Sequence, residues 1–385
     1  MKSIIPLFKV FMSPTAHTKS SEVLQSGYIT QGPEVENFEK NLANYFGHSN
    51  VVTTNSATSA LHLVFHMLRN IKSDSSYEQI DEDDHILTTP LTCTATNWPI
   101  LANGINLKWV DVDKNSCNMS LDDLEKKLTI KTKAVLIVHW AGNPIDLNRL
   151  NQIQRDFESK YGFKFTIIED CSHSFGSLYD GKRIGNHGNI CIFSFQAIKH
   201  LTSVDGGCII FPNKTEYNRA KLLRWYGIDR NENRKKDFRC EENIDEFGFK
   251  FHMNDLNASI GNENLKIVED KVISKHKKNY DFYHENLQGL DKLTLLNNSK
   301  LSESASWIFT IKVKDKLSFM RKMQEFNIQT SKVHERNDIH TAVSRFKTKL
   351  PELDSFDDEI VSIPVGWWVD EEKANYIVNS IKKGW

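Results

Sequence analysis

Apolar positions in the first two-thirds of the chain switch repeatedly between a helical and a strand-like rhythm. Val35, Phe38, Leu42 and Phe46 recur at helical spacing, and Gly47 ends their run. A short β-branched run, VVTT from Val51, passes through small polar residues into a second helix with Leu61, Val64, Phe65 and Leu68 inside. HILTTPLTCTATNWPILANGINLKWVDVD then reads as strand, loop, helix and strand. After a helix at SLDDLEKKL, the run KAVLIVHW predicts a buried strand, residues 148–160 a helix, and FKFTIIED another strand that ends on Asp170. Ile190 to Phe195 and Cys208 to Phe211 predict two more. Such alternation is the mark of an α/β fold built on a largely parallel sheet.

Beyond about residue 265 the pattern changes. KIVEDKVISKHKKNYDFYHENL predicts long charged helices, SWIFTIKV a short strand, and SIPVGWWVDEEKANYIV a final cluster of core and surface cover. The expected division is therefore a large domain over 1–265, with an extended N-terminal arm, and a smaller α+β domain over 266–385.

Composition narrows the class without naming a function. A chain of 385 residues is ample for two domains, and 39% hydrophobic with 26% charged residues describes an ordinary globular protein. The net charge of −1 offers no field for nucleic acid or an anionic membrane. The longest apolar stretch, near Ala134 to Val138, is far short of a membrane span, and Pro6 and Lys9 break the N-terminal run as a signal peptide. Six scattered cysteines without a CxxC pair argue for a reducing cytosol rather than a disulfide framework or zinc ribbon. Cys171 and His173 have no second ligand pair for zinc.

The chemistry gathers around Lys199. It follows the strand ending near Phe195, with Phe193, Phe195, Ile198 and Leu201 nearby in sequence. Apolar surroundings disfavour the ammonium and favour the nucleophilic amine. Asp170 stands at the carboxyl end of an earlier strand. A strand-end acid followed by a lysine after a later strand suits pyridoxal phosphate: the lysine forms the Schiff base, and the carboxylate keeps the ring nitrogen protonated. Small residues at the start of the helix after VVTT leave backbone N–H groups free for a phosphate, so Ala57, Thr58 and Ser59 are read as its cup.

The stretch IIEDCSHSFGSLYDGKRIGNHGNICIFSFQAIKHLTSVDGG resembles the core of the DegT/DnrJ/EryC1/StrS sugar aminotransferases, whose pattern runs E-D-x-A-H/Q-x-x-G, G-K-x-x-G and F-S-F-x-x-x-K-x-x-T-x-G-E-G-G. The resemblance implies a pyridoxal-phosphate enzyme of the aspartate aminotransferase type (fold type I), a homodimer with shared active sites. It further implies a nucleotide-linked keto sugar and an amino-acid donor, glutamate in most relatives, and a cytoplasmic role in surface polysaccharide or glycan synthesis. Residue by residue, it places Lys199 as the catalytic lysine, Asp170 at the ring nitrogen, His173 near the phenolic oxygen and Ser194 on the phosphate. Cys93 falls where the family usually stacks an aromatic residue on the ring. Lys250 or His252, in GFKFHMNDLNASIG, falls where relatives reach the partner subunit's phosphate. The stretch from His334 to His340 matches a loop near the sugar cleft, so His334 is a substrate contact, and Tyr226 is another.

Two departures accompany the match: Ser203-Val204-Asp205-Gly206-Gly207 has one glycine fewer than T-G-E-G-G, and Gln196 stands where His is frequent. A related branch of 3-dehydratases carries His in place of the lysine. The presence of Lys199 favours transamination over that chemistry, and the retained Lys199 and Asp170 argue against a non-catalytic binding protein. Tyr226-Gly227-Ile228 fits neither the 3-aminating nor the 4-aminating pattern, whereas HWAGNPIDL and GFKFHMNDLNASIG look closer to enzymes that aminate C4.

Overall fold

The structure, a computed structural model, describes residues 3–230 and 243–385. The first strands are β1 (Val51–Thr54), β2 (His85–Thr88), β3 (Asn106–Trp109), β4 (Thr132–Val138) and β5 (Thr166–Asp170). The short β6 (Leu178–Tyr179) and β7 (Lys182–Arg183) follow, then β8 (Ile190–Ser194) and β9 (Gly207–Ile210). Seven of them form one sheet in the order β1-β9-β8-β5-β4-β2-β3. The neighbours from β8 through β3 all pair in parallel, while β9 runs antiparallel to both β8 and β1. Strands β1, β4, β5, β8 and β9 are buried along nearly their whole length, as a sheet covered on both faces requires.

Helices cover those faces because their sequences carry one apolar stripe each. Pro33–Phe46 buries Val35, Phe38, Leu42 and Phe46, with Pro33 in the first turn and Gly47 closing the helix at φ 69°. Ala57–Arg69 is apolar over most of its surface and buries every residue from Ala60 to Leu68 except the half-buried His62. Its first turn presses on β9: a Cβ on Gly207 would stand 2.5 Å from the amide nitrogen of Ala57. Helix Ala16–Ser26 has no strong apolar stripe, and the sequence pattern misses it. It is held to the molecule by Ala16 and Val23 and by polar contacts such as Thr15 to Glu263 at 2.6 Å.

Past helix Asp255–Leu265, strands β10 (Leu293–Leu295), β12 (Phe309–Val313) and β13 (Ile360–Ile363) build a separate antiparallel sheet. It has its own apolar cluster around Tyr283, Phe319 and Ile377. Strand β11 (Ser302–Glu303) instead crosses to β6, and the N-terminal arm returns to this region through a bridge from Ile5 to Ile328. Among the described residues, no helix is long and apolar enough to cross a membrane.

The two sheets meet tightly at Gly142. Its φ is +93°, and an added Cβ would lie 2.7 Å from the carbonyl oxygen of His173 and 3.1 Å from the amide nitrogen of Ser306. Gly142→Ala is expected to destabilise the protein by about 3 kcal/mol, from combined left-handed strain and backbone collision. Urea unfolding measures this, and a loss below about 1 kcal/mol would show that the junction can give way.

Candidate active site

Parallel strands deliver their carboxyl ends to one edge of the sheet, and that edge is where an open α/β sheet takes its ligands. Here it opens into a cavity of about 650 Å³. Asp170 stands at the end of β5 and Ser194 at the end of β8. Lys199 lies in the turn after β8, and Ser56, Ala57 and Thr58 start the helix after β1; all of these line the cavity.

Asp170 is buried, and both of its carboxylate oxygens are engaged. Oδ1 accepts the Ser172 amide at 3.0 Å, and Oδ2 accepts the Thr96 hydroxyl at 2.7 Å. Thr96 Oγ1 lies 2.8 Å from Thr92 Oγ1, which extends the chain of hydroxyls away from the acid. Such a carboxylate is fixed in direction and ready to accept one more proton donor from the cavity. Lys199 faces the same space. Burial lowers its amine to about 8, against the opposing pull of Asp170 and Cys93. Near neutral pH this amine exchanges its proton far more readily than an exposed lysine does.

Two histidines complete the wall. His173 is 3% exposed, its ring stacked 4.0 Å from Trp307, and its Nδ1 has no partner. His334 lies parallel to it at 5.5 Å, with Nε2 likewise unpartnered. Burial first and the Lys199 charge second hold both rings neutral, with His173 well below its ordinary value and His334 at about 4. Unpartnered buried nitrogens are costly, and both rings have hydrogen-bonding capacity to offer a polar group in the cavity.

A buried strand-end carboxylate, a tuned lysine, an orphaned imidazole nitrogen and a helix N-terminus of small residues together fit pyridoxal phosphate. The profile of the DegT/DnrJ/EryC1/StrS aminotransferase family matches residues 13–382 of the chain. The chain belongs to this family. It is similar to AtS13 of Actinomadura melliaura, at 44% identity over the whole of both chains with a TM-score of 0.93. It also resembles the sugar aminotransferase CalS13 of Micromonospora echinospora, at 39% identity over 99% of this chain and 100% of that one, again with a TM-score of 0.93. An uncharacterized protein of Methanocaldococcus jannaschii is 30% identical over 99% of this chain and 98% of its own. The fold is that of the fold type I enzymes, and the protein is a pyridoxal-phosphate-dependent aminotransferase.

The structure gathers most, though not all, of the residues singled out by sequence. Ala57, Thr58, Cys93, Asp170, His173, Ser194, Lys199 and His334 line one cavity. Ser59 does not; its amide and hydroxyl are both engaged by the Ser56 side chain, which caps the helix, and Ser56 takes the place on the cavity wall. Tyr226, at φ 58° and 41% exposed, lies away from the cavity in this chain. Lys250 is exposed, and His252 packs 3.8 Å from the Trp225 ring with its own ring lowered to about 4 by burial and by Arg224, Arg230 and Lys250. Neither lines the cavity of its own chain. Their backbone nonetheless adjoins it, since the Asn55 side chain donates to the Lys250 carbonyl and the Asn55 amide to that of Phe251. Most of the charged loop before them, residues 231–242, lies outside the described residues. The missing glycine of the 203–207 turn leaves Val204 at φ 71°, a conformation that strains a β-branched side chain.

Sequence reasoning missed Trp307, Thr96 and the arm residues Leu7 and Phe8, all of which line the cavity. The spacing of Thr92 and Thr96, one helical turn apart, was the sole local signal among them. Thr96→Val should keep the shape but leave Asp170 one donor short, cutting aminotransferase activity about 10-fold. Thr96→Ser should restore most of it, and Asp170→Asn should cost roughly a thousandfold or more. Steady-state rates of the three variants check the order, and a normal rate in Asp170→Asn would reduce the acid to a structural role.

Proposed function

We propose that the chain transfers an amino group from an amino acid, glutamate by preference, to C4 of a keto sugar carried on a nucleotide. The observation that carries this reading is the convergence of Lys199 and Asp170 on one cavity large enough for a ring cofactor and part of a sugar. Bound there, the cofactor supplies an electron sink for the carbon that loses or gains the amino group. The chain's own residues do the rest. Asp170 holds the proton on the ring nitrogen, supported by Thr96 and Ser172. Lys199, tuned to about 8, carries a proton between neighbouring atoms at either carbon. His173 and His334, held neutral, offer N–H donors to oxygen atoms without adding charge to the site. The Ser56-Ala57-Thr58 turn and Ser194 hold the phosphate through N–H and O–H groups.

The preference for C4 rests on the HWAGNPIDL and GFKFHMNDLNASIG stretches, and the nucleotide carrier on family membership. The large domain ends near residue 265, so the smaller domain contributes His334 to the sugar side of the cavity. The enzyme works in the cytoplasm, in the making of surface polysaccharide or glycan precursors. A panel of 3-keto and 4-keto nucleotide sugars, each incubated with glutamate and analysed by product mass, tests the reading. Amination of the 4-keto members is expected; amination of 3-keto members alone would overturn the C4 assignment.

The working unit is a homodimer that shares its active sites. Among the described residues lining the cavity, Lys199 is the sole lysine or arginine, whereas a phosphate dianion favours charge-assisted donors. Lys250 and His252 flank the phosphate turn without lining it, which suits residues that serve the neighbouring subunit. Lys199→Ala subunits mixed with Lys250→Ala/His252→Ala subunits should regain activity, because each hybrid dimer carries one intact site. Verified subunit exchange with no recovery would mean that each site is built within one chain.

A further inference from the structure

The geometry points to Trp307 as the seat that holds the Lys199 side chain whenever its amine is free of the cofactor. The inference rests on the aminotransferase reading and adds a positioning residue to it. Lys199 Nζ lies 3.6 Å from the centre of the Trp307 ring, inside the range where an ammonium is drawn to an indole face. The ring is in turn tied to the lysine's own segment, since Trp307 Nε1–H donates to the carbonyl of Ile198 at 2.9 Å. Phe8 of the N-terminal arm stacks on it at 5.2 Å, and His173 at 4.0 Å. Trp307 is 2% exposed and has little freedom to leave.

The backbone has been bent to put the ring there. The Trp307 amide donates to the carbonyl of Ala141 at 2.9 Å, and both Ala141 and Ser306 sit at positive φ, 57° and 56°. Left-handed alanine and serine are strained, and the Gly142 junction between them admits no side chain.

A seat of this kind does specific work. In a transamination the lysine is released for part of each cycle, yet must return a proton to one chosen atom. A free four-carbon side chain otherwise samples many rotamers. The indole face attracts the protonated amine and holds the neutral one weakly, so the lysine is retained while it carries a proton and released after giving it up. The charged and titratable groups facing the amine are Asp170, Cys93, His173, His200 and His334, and Asp205 lines the same cavity. Asp170 also favours the ammonium, so the ring's share must be separated by substitution.

The test uses full-length protein loaded with pyridoxamine phosphate, in which Lys199 is free. Competitive labelling with an amine-reactive reagent, read by mass spectrometry on the Lys199 peptide, gives the pH midpoint of the amine. In Trp307→Leu the midpoint is expected to fall by about half a pH unit or more, with Trp307→Phe between it and the wild type. Loss of packing alone would admit water beside the amine and raise its midpoint rather than lower it. In the wild type, the fluorine resonance of fluorotryptophan at position 307, assigned by its absence from Trp307→Phe, should titrate with the Lys199 midpoint. That measurement decides the matter if the leucine variant fails to fold. An unmoved or raised midpoint in Trp307→Leu, or a flat fluorine resonance, overturns the seat while leaving the function intact. Failure of the wild type to bind pyridoxamine phosphate would overturn the cofactor site, and the seat with it.

Discussion

A carboxylate buried at the end of a central parallel strand must be held by partners, and the arrangement around Asp170 meets that demand. The acid lies in register with Val138 on β4 and Ile192 on β8, at the edge where the sheet opens. Removing one donor from such a group leaves a cost of about 1–3 kcal/mol, so its surroundings are not free to vary. Ser172 and Thr96 fill two positions, and the remaining capacity faces the cavity. Helix Thr94–Ala102, the turn after β5 and the loop that carries Lys199 are all arranged about this one group.

That demand spreads to the loop around Asn337 through uncharged amides. Asn337 is fully buried; it donates to the Thr92 carbonyl at 2.8 Å and accepts from Asn97 at 2.9 Å, while its own amide reaches Pro90 at 2.8 Å. Asn97 also accepts the Thr88 hydroxyl at 2.8 Å. The loop bearing His334 is thereby fastened to the segment whose Thr96 supports Asp170. A polar network of this kind is specific because each member left unsatisfied is expensive. It sets the distance between the Asp170 and His334 walls of the cavity.

A second buried acid on the same strand has a different fate. Glu169 accepts from His139 Nε2 at 2.8 Å and from Asn189 at 2.7 Å, and His139 Nδ1 accepts the Ile145 amide. Because Nδ1 is an acceptor, the proton of this histidine lies on Nε2, and the pair closes on itself. Adjacent residues on a strand point to opposite faces. Glu169 therefore braces one helix-covered face of the sheet, while Asp170 points the other way and lines the cavity.

Periodicity and composition alone determined the alternating elements and the largely parallel sheet, because burial imposes a 3.6 or 2 repeat on the chain. The Lys199–Asp170 pair was legible as well, since strand ends in such sheets converge on one edge. Helix Ala16–Ser26 left no trace, for its hold is mostly polar and long-range. Ser56 rather than Ser59 lines the cavity, and its capping bond to the Ser59 amide accounts for this. Trp307 and Phe8 lie 299 residues apart in the numbering, and each reads locally as one more apolar position. What makes them part of the site is the meeting of the N-terminal arm, the smaller sheet and the Gly142 turn. Only a folded chain brings those three together, because the contacts are between surfaces and not between neighbours in sequence.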